Sequence, residues 1–159
     1  MNGPKVLGAD DHQHFMRKAI LMAERSLAAG GPPVGSCLVR DGTIIGMAQN
    51  SIVAELDVTA HAEIVVIREA CRGLQTLSLS GTNLYVTVEP CAMCFAACHY
   101  AAVEHVYFGA SIDSMHAITS NELSANNYVN DINYSLPKMT GGVLESECVS
   151  MLDLWGSLG

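Results

Sequence analysis

Residues 83–94 read Asn83-Leu84-Tyr85-Val86-Thr87-Val88-Glu89-Pro90-Cys91-Ala92-Met93-Cys94. The first six alternate as a buried strand does, with branched and aromatic side chains that suit a pleated surface. Pro90 has no N–H to give to a ladder but fits the first turn of a helix, so a helix is expected from roughly Cys91 to Ala101. Val103 to Phe108 then reads as a second strand. Strand, helix and strand in this order mean a sheet with helices packed on it.

On the N-terminal side, Phe15, Ile20, Ala23 and Leu27 recur at helical spacing, which predicts a helix over Asp11–Ala29 with Asp10 or Asp11 as its N-cap. Gly30, Gly31, Pro32 and Pro33 stop it. Two short apolar runs, Gly35–Val39 and Thr43–Ala48, are joined by Asp41-Gly42, a strong hairpin signal. A further helix should start near Thr59 or Ala60 and run to about Cys71, with Ile64, Ile67 and Cys71 on one face. Beyond the second strand, the run from Ser111 to Pro137 is polar and carries no clear period, and Val143–Trp155 reads as a closing helix. With 159 residues, half of them apolar, the chain fits one domain over residues 1–159 with a well-filled core.

Two segments carry chemistry. His61-Ala62-Glu63 and Pro90-Cys91-Ala92-Met93-Cys94 should each open a helix. Cys91 and Cys94, three apart, point to one side of a helix with Cα atoms roughly 5 to 6 Å apart, so both sulfurs can reach one ion. The positive end of the helix favours their thiolates. His61 can add a nitrogen. Three protein ligands around a tetrahedral Zn2+ leave the fourth position for water, the mark of a catalytic site. Glu63, two residues beyond His61, is close enough to move that water's proton without being a ligand.

Each motif alone has a plainer reading. A single Cys-x-x-Cys is often a redox dithiol or half of a structural zinc site. The sharpest rival is a closed site with Cys98 as fourth ligand, but Cys98 lies roughly 10 Å along a helix axis from Cys91, too far to share an ion. Cys98 reads instead as a small core residue. The other cysteines suit reduced thiols, since disulfide frameworks belong to short secreted chains with weak cores.

These residues resemble the cytidine-deaminase-like zinc deaminases, with their His-x-Glu and Pro-Cys-x-x-Cys signature. The resemblance runs from about Phe15 to Gly109 and includes Pro33-Val34-Gly35, Asp41-Gly42, Asn50, Thr59–Glu63 and Leu84–Pro90. Within that superfamily the chain is most similar to the branch of bacterial guanine deaminases and tRNA adenosine deaminases. The resemblance implies a three-layer α/β/α sandwich around a mixed five-stranded sheet, and a homodimer. It makes His61, Cys91 and Cys94 the zinc ligands and Glu63 the proton shuttle. Asn50 matches an asparagine that contacts the base, although a strand-end turn residue is its plainer reading. The Ala62 backbone would face the substrate, and Tyr100 falls near an aromatic position of the guanine deaminases. Glu122 falls where those enzymes carry an acidic residue that accepts hydrogen bonds from guanine. Their Gly-Phe-Asp-Asp-like run is missing here, and an exposed loop glutamate is the alternative. The tail from Gly141 to Cys148 is closer to the tRNA enzymes.

Charge ranks the substrates. The net charge is −8, and seven of the eight basic residues lie at or before Arg72. A tRNA binder neutralises several phosphates with Lys and Arg, and this chain is poorly supplied to do so. Free guanine, or another nucleobase-like small molecule, is therefore expected ahead of adenosine in tRNA, with cytosine and other amino-pyrimidines or amino-triazines behind. No secretory signal and no apolar run of the roughly 18 to 20 residues that span a membrane is read, which points to a cytoplasmic protein.

Overall fold

The computed structural model describes residue 3, residues 5–119 and residues 136–158. In chain order the elements are α1 (Ala9–Ala28), β1 (Gly35–Arg40), β2 (Thr43–Gln49), α2 (Ile52–Glu55), α3 (Ala62–Leu74), β3 (Thr82–Val88), α4 (Ala92–Tyr100), β4 (His105–Ala110), α5 (Ile112–Thr119), β5 (Lys138–Thr140) and α6 (Glu145–Ser157). The five strands form one mixed sheet in the order β2-β1-β3-β4-β5. The first three neighbours pair antiparallel, whereas β3, β4 and β5 run parallel.

The hairpin forms where Asp41-Gly42 predicts it. Asp41 and Gly42 have φ of 50° and 76°, the two positive values that a tight primed turn requires. The alternation of β1 then assigns helices to faces. Gly35 lies against α1 so closely that a Cβ there would stand 2.1 Å from the Ala19 carbonyl oxygen and 2.4 Å from the Ala23 nitrogen. Its neighbour Ser36 points the other way and donates to the Ala62 carbonyl of α3 at 2.8 Å. On the α1 face Gly109 of β4 leaves room for Cys148 of α6, whose Sγ would be 2.3 Å from an added Cβ. Helices α1 and α6 thus cover one face, α3 with α4 the other, and the three-layer α/β/α arrangement is that expected. No described helix is long and apolar enough to cross a membrane.

Several boundaries differ from the expectation. Helix α1 is capped at Gly8, with neither Asp10 nor Asp11 as cap. Asp11 instead reaches back to accept the Gly8 N–H at 3.0 Å, a role that only the helix geometry distinguishes from capping. Helix α3 begins at Ala62, later than Thr59 or Ala60, because Asp57 holds Thr59 in a turn through its N–H (2.8 Å) and hydroxyl (2.7 Å). The short α2, α5 and the three-residue β5 were not read from the sequence. The polar run from Ser111 opens with α5, and residues 120–135, which include Glu122, Tyr128 and Tyr134, lie outside the described residues.

Aromatic and histidine rings line up on the α1 face of the central strands. His12 Nδ1 shares a hydrogen bond with the Tyr85 hydroxyl at 2.8 Å. Its ring lies 4.3 Å from that of Tyr107, on which His105 stacks at 4.1 Å. Tyr85 is fully buried, so the hydroxyl needs such a partner.

Candidate active site

The loops after β3 and β2 bring the two motifs together. His61 is the N-cap residue of α3 and Cys91 that of α4, both in extended backbone. Neither side chain caps its own helix, which leaves each to face the other. Nδ1 of His61 and Sγ of Cys91 are 3.7 Å apart. With Cys94, their ligand atoms all lie within 4.8 Å of one another. Tetrahedral bonds of about 2.0 Å to nitrogen and 2.3 Å to sulfur would set such atoms roughly 3.6 Å apart, so the cluster fits a zinc ion.

Its electrostatics fit as well. The hydrogen bond from Cys94, followed by that from His61, draws Cys91 down to about 4, so a thiolate is already favoured. Hydrogen bonding to Cys91 holds the His61 imidazole above its usual value. Glu63, in the first turn of α3, is 3% exposed and its Oε2 has no hydrogen-bond partner among the described residues. Burial, and then the neighbouring Cys91, push its carboxyl up to about 7. A buried carboxylate oxygen without a partner is costly unless something arrives to bind it.

His61, Glu63 and Cys91 open into a cavity of about 420 Å³, which is large enough for a nucleobase or nucleoside. Asn50, 7% exposed, lines it. Its Oδ1 accepts the Ile52 N–H at 3.2 Å, which makes it a turn residue and fixes the plane of an amide facing the cavity. The turn reading of Asn50 therefore holds, and the same side chain borders the cavity. Ala62 is fully buried and does not line the cavity; its carbonyl is taken by Ser36. Tyr100 is 85% exposed and borders a different groove, between α3 and α4, with Ile64, Ile67 and Leu77. Within one chain it is not part of the catalytic cavity. Cys98 is buried in the core, as expected from its spacing.

The cavity has further walls, most of them outside the motifs. Glu89 lines it and accepts the Ile112 N–H at 2.9 Å, so the loop that carries Cys91 also holds the start of α5. Met115 and His116 of α5 and Trp155 of α6 complete that side. Only Glu89, adjacent to the Pro-Cys pair, had a sequence signal; the others arrive through tertiary packing.

Comparison with known proteins agrees with this geometry. Residues 9–110 match the model of the cytidine and deoxycytidylate deaminase zinc-binding region. The chain is 37% identical over 143 residues to a tRNA-specific adenosine deaminase of Buchnera aphidicola subsp. Baizongia pistaciae, covering 90% of this chain and 86% of that protein. A guanine deaminase of Bacillus subtilis is 39% identical over 101 residues, which are 63% of this chain and 65% of that one. A solved structure from studies of A-to-I editing by tRNA:A34 deaminases superposes with a TM-score of 0.78 at 37% identity, covering 87% of this chain and 99% of the other. Since the matched region spans four of the five strands and the whole His-Cys-Cys cluster, the chain belongs to the cytidine and deoxycytidylate deaminase zinc-binding family and is a zinc-dependent hydrolytic deaminase.

Proposed function

We propose that the chain removes the exocyclic amino group of a purine by hydrolysis, and that this purine is adenosine within a tRNA. The observation that carries the chemistry is the placement of Glu63, a buried carboxylate with one oxygen unpartnered, beside a nitrogen and two sulfurs that fit zinc. Zinc held by His61, Cys91 and Cys94 would supply a water whose pKa is lowered from 15.7 toward about 7. Glu63 carries both protons of the attacking water in turn, the first to a ring nitrogen and the second, released by the new hydroxyl once the C–O bond has formed, to the departing amine. A C–O bond forms as the C–N bond breaks; one water is consumed and one ammonia released. Asn50 orients the ring through its fixed amide.

Charge alone ranks free guanine first. The relatives reorder this, because the tRNA-specific adenosine deaminase match runs over 143 residues and the guanine deaminase match over 101. Free guanine stays as the second reading on a specific observation: the cavity lining contains no Lys or Arg among the described residues, and the net charge is −8. The apolar groove beside Tyr100 supports assembly as a homodimer, which size measurement in solution would test.

The deciding experiment gives the zinc-loaded protein an anticodon stem-loop containing adenosine and, separately, free guanine. Inosine formation that weakens with salt supports the first reading. Ammonia from guanine, with an unchanged stem-loop, replaces it with the second. Failure on every amino-purine overturns both.

A further inference from the structure

The closing helix contributes Trp155, the single tryptophan of the chain, to the wall of the catalytic cavity. Other residues of helix α6 anchor it to the sheet. Cys148 and Leu152 are each 1% exposed, Cys148 fills the space left by Gly109, and Gly156 comes close to Ile118 of α5. These residues recur every four positions, so one face of α6 is seated against the sheet and α5, and Trp155, three beyond Leu152, follows close to that face in the last turn. Its indole is only partly buried. It borders two spaces at once, the catalytic cavity and an adjoining hollow shared with Leu27, Gly31 and Ile118. The ring is therefore a partition, and its place in the core is not filled by other apolar atoms on every side.

No Phe or Tyr lines the catalytic cavity among the described residues. The other rings there are His61, committed to the metal cluster, and His116. Among the described residues, Trp155 is the one large flat apolar surface that a planar heterocycle entering the cavity would meet. We infer that Trp155 is the stacking surface for the substrate ring, a specificity-determining contact supplied by the chain's own C-terminal helix. This rests on the reading that the substrate is a planar purine. Stacking acts alike on the ground state and on the reacting ring, so it belongs in binding more than in the chemical step.

The test uses the zinc-loaded full chain. Trp155→Ala is expected to raise KM about tenfold or more with kcat within a few-fold, and Trp155→Phe to restore most of the loss. Because the chain has one indole, emission from the otherwise unaltered Glu63→Ala variant reports on that ring alone. It is expected to change and saturate on titration with the adenosine stem-loop or with guanine, whichever the wild type turns over. Unchanged KM in Trp155→Ala, or emission indifferent to saturating substrate, overturns the assignment while leaving the deaminase reading intact. Should Trp155→Ala fail to fold, Trp155→Phe and the emission titration still decide. Absence of turnover by the wild type on every amino-purine overturns the functional reading instead, and emission unchanged by guanine and stem-loop alike then overturns the stacking role too.

Discussion

Glu89 Oε2 accepts the backbone N–H of Ile112 at 2.9 Å, and this one bond fastens the start of α5 to the loop that carries Cys91. A carboxylate at a helix start satisfies an otherwise unpaired N–H and opposes the positive end of the helix dipole. Glu89→Ala should lower stability by about 1 kcal/mol and raise KM, since Met115 and His116 of α5 line the cavity. Glu89→Gln keeps an acceptor and should recover most of both. Urea unfolding together with steady-state kinetics checks this; equal KM in the wild type and the alanine variant would refute the coupling.

Glu63→Gln keeps the shape of the side chain and removes its basicity. Turnover should fall by about 10²- to 10⁴-fold with bound zinc unchanged at one per chain. Chelating the metal should abolish ammonia release, and zinc should restore it. Metal analysis beside the activity assay separates the two effects. Loss of zinc in Glu63→Gln would make the carboxylate a ligand and not a proton carrier.

His12 is held below its usual value by burial, which the nearby Asp11 partly opposes. His105 is lowered too, by burial first and then by Lys138 and His12. Each therefore takes up a proton more readily in the unfolded chain than in the folded one. The stability they contribute is complete above about pH 6.5 and is lost as pH falls through the lower folded-state values. The urea midpoint should drop between about pH 7.5 and pH 5.5, and less steeply in His12→Phe, which cannot titrate. Parallel profiles for the two proteins would clear His12 of this role.

Gly35→Ala should lower stability by about 2–3 kcal/mol, because the new methyl would meet backbone atoms of α1, which cannot rotate away. For a chain of this size that is roughly 5–10 °C in Tm. A differential scan within a degree of wild type would mean that α1 shifts freely.

The metal cluster was legible because its information is local: a histidine and two cysteines at helix starts, each set by a few neighbouring residues. The hairpin was legible for the same reason, since Asp41 and Gly42 adopt positive φ with little strain. The rest of the cavity depends on where distant elements dock. Trp155 reads as an ordinary helix residue until α6 is seated against Gly109, and Met115 belongs to an eight-residue helix whose apolar positions Ile112, Met115 and Ile118 are too few to stand out before the polar run that follows. Three-residue β5 and four-residue α2 are too short for periodicity to show. Tyr100 illustrates the converse: a motif neighbour can point outward, because α4 turns it away from the cavity.

The contact between Gly109 and Cys148 also turns the closing helix into its own clock. Burial pushes the Cys148 thiol up to about 12, so a water-borne alkylating reagent finds neither access nor a thiolate while α6 is docked. The rate at which that sulfur becomes labelled would count how often the last helix lifts from the sheet, and so how often the wall bearing Trp155 swings off the cavity.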